Sequence, residues 1–194
     1  MKSFTVSAIL IFLALCAASL LGCRSTSRAY LPQYIHGNEL MRPQNYQAWI
    51  FLTSGLHMGG ESSGEGTFTS IFVTPPAYYH FLASGRWPEQ TMFVQEKRTS
   101  SSRANKADHW PTDLVRFNVQ VKDSARYGEK WGFFSFGFSQ PTAKPNPKTM
   151  CWECHFQRGT VEATFVQLFP TLRAAGKKFG TYQADLEGPY AVQY

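Results

Sequence analysis

Leu114-Val115-Arg116-Phe117-Asn118-Val119-Gln120-Val121 alternates without a break. Leu114, Arg116, Asn118 and Gln120 fall on one side, and Val115, Phe117, Val119 and Val121 on the other. A period of two is the signature of a strand with its apolar face turned inward. Three neighbouring stretches support a sheet. Thr67–Val73 is rich in β-branched and aromatic residues, and Thr91–Lys97 has the same character. Trp131–Phe138 carries aromatics on both faces, which predicts burial on both sides.

Between the first two of these lies a punctuated helix. Thr74 offers an N-cap, Pro75 stands at the first helical position, and Gly85 closes the segment, so a helix is predicted over Pro75–Ser84. Tyr46, Trp49 and Ile50 recur at helical spacing and predict a short helix over Pro43–Leu52. Another is expected from Thr171 to about Phe179, with Lys177 and Lys178 near its end. Ser54–Gly66, dense in glycine, and Thr99–Pro111, dense in polar residues, are expected to be loops. Gln140–Lys148, with Pro141, Pro145 and Pro147, reads as an extended connection. The resulting fold class is α+β: a mainly antiparallel β-sheet with a few short helices.

That connection delivers the chain to Cys151-Trp152-Glu153-Cys154-His155. The spacing C-x-x-C-H is that of a covalently attached c-type haem. Two thiols add across the porphyrin vinyl groups, and the adjacent imidazole becomes the axial iron ligand. Cys151 and Cys154 are therefore the candidate anchors of one haem c per chain, and His155 its candidate ligand. A structural zinc would need a second ligand pair, and the only other cysteines are Cys16 and Cys23. A redox dithiol would follow a strand in a βαβ unit, which nothing before Cys151 suggests. Helical cytochromes c carry this motif early and a methionine late. Here the motif comes late and strands precede it, so a helical cytochrome and a four-helix bundle are both disfavoured.

The first residues bear on the compartment. Met1-Lys2, an apolar run to Leu21 and the ending Leu20-Leu21-Gly22-Cys23 read as a secretory signal. The ending resembles a bacterial lipobox, with Cys23 lipidated. Residues 1–22 are expected to be a signal peptide, 23–40 a tether, and 41–194 the haem domain. Such a chain would sit in the bacterial cell envelope, facing the periplasm and lipid-anchored to a membrane; Arg24, where some lipoproteins have a retaining aspartate, favours the outer one. Every cysteine then has a use, and no disulfide is expected. The formal net charge is +6. Its basic residues are scattered, so no nucleic-acid partner is expected. With 16 Phe, 9 Tyr and 5 Trp, the chain has aromatics enough for a large apolar pocket or, equally, for a sandwich core.

Several pieces occur together in one order: Asn45-Tyr46 with Trp49; Phe72-Val73-Thr74-Pro75 with Tyr78 and Gly85; Thr91–Glu96; Val121-Lys122-Asp123-Ser124; Trp131-Gly132-Phe133; the haem motif; and Phe169–Ala175. In these the chain resembles the cytochrome P-460 family, which includes the cytochromes c′-beta. The resemblance implies a homodimer and a five-coordinate haem with an open distal side. In the P-460 enzymes, which oxidise hydroxylamine, a lysine cross-links to the porphyrin and a distal glutamate moves protons. The c′-beta members lack the cross-link and bind small gases. Carried over by residue, the lysine position is Gln95, which has no nucleophilic amine. The glutamate position is Asn118, which cannot act as a base near neutral pH but can donate a hydrogen bond. Lys97 lies two residues past Gln95 on the same face of the strand. A register shift of one pair would bring it to the ring edge; otherwise it is a solvated strand-end lysine.

Three functions compete on this reading. The first is an open-site haem protein that binds or redox-transforms a small nitrogen oxide or diatomic gas, served by a redox partner protein. The second is a six-coordinate electron carrier, with His36, His57, His80, His109 or a methionine other than Met150 as sixth ligand; His57 and Met58 stand in the Gly-rich loop that could fold over the haem. The third is a hydroxylamine-oxidising enzyme of P-460 type.

Overall fold

The computed structural model describes residues 28–58, 66–102 and 108–188. The expected signal peptide over residues 1–22 and Cys23 lie outside these residues. The chain divides into a unit ending at Leu31 and another beginning at Pro32. Of the first, residues 28–31 form a turn in which Leu31 N–H donates to Arg28 O at 3.3 Å.

The second unit is built on a five-stranded antiparallel meander: β3 (Ile50–His57), β4 (Thr67–Val73), β5 (Met92–Ser102), β6 (His109–Lys122) and β7 (Trp131–Phe136). A second sheet joins β1 (Tyr34–Ile35), β2 (Glu39–Met41) and β8 (Thr142–Ala143). Three helices complete it: α1 (Pro75–Ser84), α2 (Lys148–Arg158) and α3 (Pro170–Lys178). The fold is α+β, with two antiparallel sheets.

Register assigns each side chain of the meander to a face. Val73 pairs with Phe93, Phe93 with Gln120, and Gln120 with Phe133. These residues face the helices, where Phe81, Trp87, Val166, Phe169 and Leu172 complete a buried core. The neighbouring row on this face is Ile71, Gln95, Asn118 and Ser135. The opposite face carries Phe72, Val94, Phe117, Val119, Phe134 and Phe136. Tyr46 packs edge-on against Phe72 and Phe117, and Tyr34 lies 6.5 Å from Phe134. The aromatics of β7 are thus buried on both faces, as expected, but the strand stops at Phe136, and Phe138, expected within it, is 78% exposed.

The helix over Pro75–Ser84 forms as expected, and Gly85 ends it in the left-handed region at φ 68. Thr74 holds the N-cap position, but its hydroxyl caps nothing.

Elsewhere the structure corrects the sequence reading. The expected helix over Pro43–Leu52 is only a 3-10 turn, Tyr46–Ala48, after which Ile50–Leu52 enters β3. Tyr46 and Trp49 are both buried around this turn, and that burial imitates helical spacing. Ser54–His57, expected in a loop, continues β3 opposite Thr67–Ser70. The Thr99–Pro111 loop is shortened at both ends by a long hairpin, in which Thr99 and Thr112 share a hydroxyl hydrogen bond at 2.8 Å. These ends extend past the core, so they carry polar residues while still satisfying their backbone in the ladder. Within the stretch assigned to the tether, 23–40, Tyr34–Ile35 forms β1 and Glu39 and Leu40 begin β2, with Leu40 fully buried.

Candidate haem site

Pro145 and Pro147 end the extended connection, and α2 starts directly after them. The sequence reading gave the C-x-x-C-H motif no secondary structure; it lies on this helix. Cys151, Cys154 and His155 therefore stand at i, i+3 and i+4, on one helix face. All three line a cavity of about 980 Å³. That is at the upper end of volumes typical of small-molecule sites, as a group of porphyrin size requires. Most of the remaining wall comes from β3, from the helix-facing rows of β4–β7, from the segment around Phe165 and Phe169 and from residues 186–188.

His155 is held on three sides. Its ring lies 4.7 Å from that of Phe133 and 4.6 Å from that of Phe165. Its Nδ1 is 3.1 Å from Ala163 O. A carbonyl only accepts, so Nδ1 carries the proton and Nε2 keeps a free lone pair. Burial holds the imidazole below its usual pKa, against the opposing effect of that hydrogen bond. A neutral ring with Nε2 available is the form in which histidine ligates iron. Cys151 is half-buried and Cys154 exposed. Asn146 Nδ2 lies 3.6 Å from Cys151 Sγ and donates to Ser135 Oγ at 2.9 Å, so it links the thiol to β7.

The other candidate residues separate. Gln95 and Asn118 are cross-strand partners, and both line the cavity. Asn118 Nδ2 donates to Gln95 Oε1 at 2.8 Å. Asn118 Oδ1 is buried and accepts nothing from the described protein atoms. A buried acceptor without a donor is costly unless a bound group or water satisfies it. The neutral imidazole and the two thiols together fit a haem in this cavity, while the orphan oxygen, an acceptor, suits a water or a bound molecule that carries a donor. Lys97 pairs instead with Thr69 and Arg116, one row further along the same face, and is not part of the lining. Apart from His155, His57 is the only histidine among the described residues that lines the cavity.

Two further residues escaped sequence reasoning. Arg158 lines the cavity, seven residues after Cys151 and four after Cys154. Reading the motif as helical would have placed it on the same face. Gln120 Nε2 donates to Ala163 O at 3.4 Å, across the sheet-to-loop gap. No local signal reveals that contact, because the two residues are 43 apart in the chain.

No curated protein matches the chain. A family model described as Cytochrome P460 matches residues 43–166, a span that runs from the turn before β3 through the haem motif to the loop holding Ala163. The match covers more than half of the sequence, so the chain belongs to the Cytochrome P460 family and is a haem cytochrome.

Proposed function

We propose that this is an exported mono-haem c-type cytochrome that binds or redox-transforms a small nitrogen oxide or diatomic gas at an open iron site. The observation that carries the reading is the Asn118–Gln95 amide pair in the cavity wall. Cys151 and Cys154 would hold the haem covalently, and His155 would offer Nε2 to the iron. When bound, the haem supplies an iron that exchanges one electron and accepts a further axial ligand. The chain supplies the surroundings. Phe93, Phe133, Phe165 and Phe169 keep the site apolar. Asn118 offers a polar group from a fixed position, because Gln95 locks its amide. Neither amide takes up a proton near neutral pH, and among the described residues no lysine lines the cavity. Both facts weigh against hydroxylamine oxidation by the family's cross-linked route.

The optical spectrum of the purified ferrous protein tests this. A high-spin spectrum that shifts on adding carbon monoxide or nitric oxide is expected. A sharp low-spin α-band indifferent to carbon monoxide would overturn it in favour of a six-coordinate electron carrier. The observation favouring that second reading is His57 in the cavity lining, and conversion to high spin in His57→Ala would identify the ligand. A strongly red-shifted Soret band would indicate a cross-linked P-460 centre. In that event, the mass of the haem peptide should show a third bond beside the two thioethers.

The proposal extends to placement and partners. The lipobox-like ending at Cys23 supports a lipid anchor facing the periplasm, with the outer membrane favoured. Covalent haem attachment, which takes place outside the cytoplasm, agrees with it. A homodimer and a redox partner protein are proposed on the family resemblance. Loss of incorporated labelled palmitate in Cys23→Ala would support the anchor.

A further inference from the structure

The loop after α2 returns to its own helix through an unusual turn. Glu162 and Ala163 both lie in the left-handed region, at φ 46 and φ 59. Neither is glycine, so each carries a steric cost that its surroundings must offset. The turn is closed by the Val161–Thr164 bridge, and Thr164 Oγ1 donates to Val161 O at 2.6 Å. Trp87 Nε1 donates in turn to Thr164 Oγ1 at 2.9 Å. One further group ties these parts together. Lys122 Nζ donates to Trp87 O at 2.6 Å and to Glu162 Oε2 at 2.7 Å. Its side chain is only 9% exposed, while the partly exposed Glu162 also meets Arg86 Nη1 at 3.6 Å. A buried ammonium is an expensive way to gain stability. Its position beside a strained turn gives it a geometric use. The product of that turn is Ala163 O, placed 3.1 Å from His155 Nδ1.

We infer that the Lys122–Glu162 ion pair is a positioning device that sets the donor strength of His155, by holding Ala163 O on its Nδ1–H. The inference rests on His155 being the axial ligand, as proposed above. A partner on Nδ1–H raises the basicity of the ligating nitrogen. A stronger donor favours ferric over ferrous iron and lowers the reduction potential. Losing the pair lets the turn relax, weakens the Nδ1–H bond and raises the potential.

The test compares Glu162→Ala with Glu162→Gly in the haem-loaded protein. Both remove the same carboxylate, so any through-space effect of its charge is common to the two. Glycine occupies φ 46 without cost, so its turn keeps only the strain at Ala163 and depends less on the ion pair, whereas alanine retains the strain at both positions. Glu162→Ala should lower the iron–histidine stretching frequency of the ferrous protein. It should also raise the potential by on the order of ~59 mV, a tenfold change in the one-electron equilibrium. Glu162→Gly should shift both by clearly less. Equal shifts in the two variants would assign the effect to charge alone and overturn the inference, as would no shift in either. If the unpaired Lys122 prevents the single variants from accumulating, the same pair is compared in a Lys122→Met background. The underlying reading has its own readout: the parent protein should show an iron–histidine band that His155→Gly abolishes.

Discussion

Tyr46 donates its phenol to Glu96 Oε2 at 2.6 Å, beneath the outer face of the meander. Arg98 Nε donates to the other carboxylate oxygen at 3.1 Å. Glu96 neighbours Gln95 on β5 but points to the opposite face, so this network anchors the strand from behind the site. Tyr46→Phe removes a buried bond to a charged group and should cost about 2 kcal/mol, read from the urea midpoint. Burial first, and then the bond to Glu96, push the Tyr46 pKa up to about 12. Burial raises Tyr34 and Tyr127 as well. Unfolded tyrosine ionises near pH ~10. Above that pH the folded protein therefore binds more protons than the unfolded chain. The stability from Tyr46 is full below pH ~10 and is lost as the pH rises toward about 12. Urea melts between pH 9 and 11 should show a declining limb that is shallower in Tyr46→Phe; an unchanged slope would contradict the assignment.

At the scale of elements, α2 and the turn behind it act together. The helix gathers two thiols and an imidazole, and the turn supplies the imidazole's acceptor. Gly159 joins the two. A Cβ there would come within 2.6 Å of His155 O, Ala163 C and Thr164 N, all of them backbone atoms. None can move aside without displacing the turn, and with it Ala163 O. Gly159→Ala should therefore cost about 3 kcal/mol. It should also alter the iron–histidine band more than substitution of an exposed α2 residue outside the cavity lining, such as Gln157→Ala. A wild-type band with a normal urea midpoint would show that the turn tolerates displacement.

For the molecule as a whole, the core is what holds the helical layer against the sheet and so keeps the cavity open between them. Phe93 stacks on Phe169 at 6.1 Å and meets Trp87 edge-on at 4.8 Å, linking β5 to the start of α3 and to the segment after α1. Leu172 is fully buried in this cluster. Leu172→Ala should lose about 3 kcal/mol from the cavity it leaves, with the m-value unchanged. The sequence by itself determined what local chemistry and short periods encode. These were the strands over 67–73 and 114–121, the helix between Pro75 and Gly85, and the C-x-x-C-H motif. It misread segments where burial or pairing came from distant residues. The apparent helix around Trp49 is a turn because Glu96 and Phe117 draw Tyr46 inward. The polar ends of β5 and β6 are strands because each supplies the other's backbone partners. Only the tertiary structure decided that Gln95 and Asn118 bond to each other, that Lys97 stands outside the cavity lining, and that His57 and Arg158 belong to it. It alone decided, too, that a lysine on β6 pairs with a glutamate after α2, beside the turn whose carbonyl meets His155. Each of these is a long-range juxtaposition, fixed by strand register and packing rather than by the residues' own neighbours in the chain.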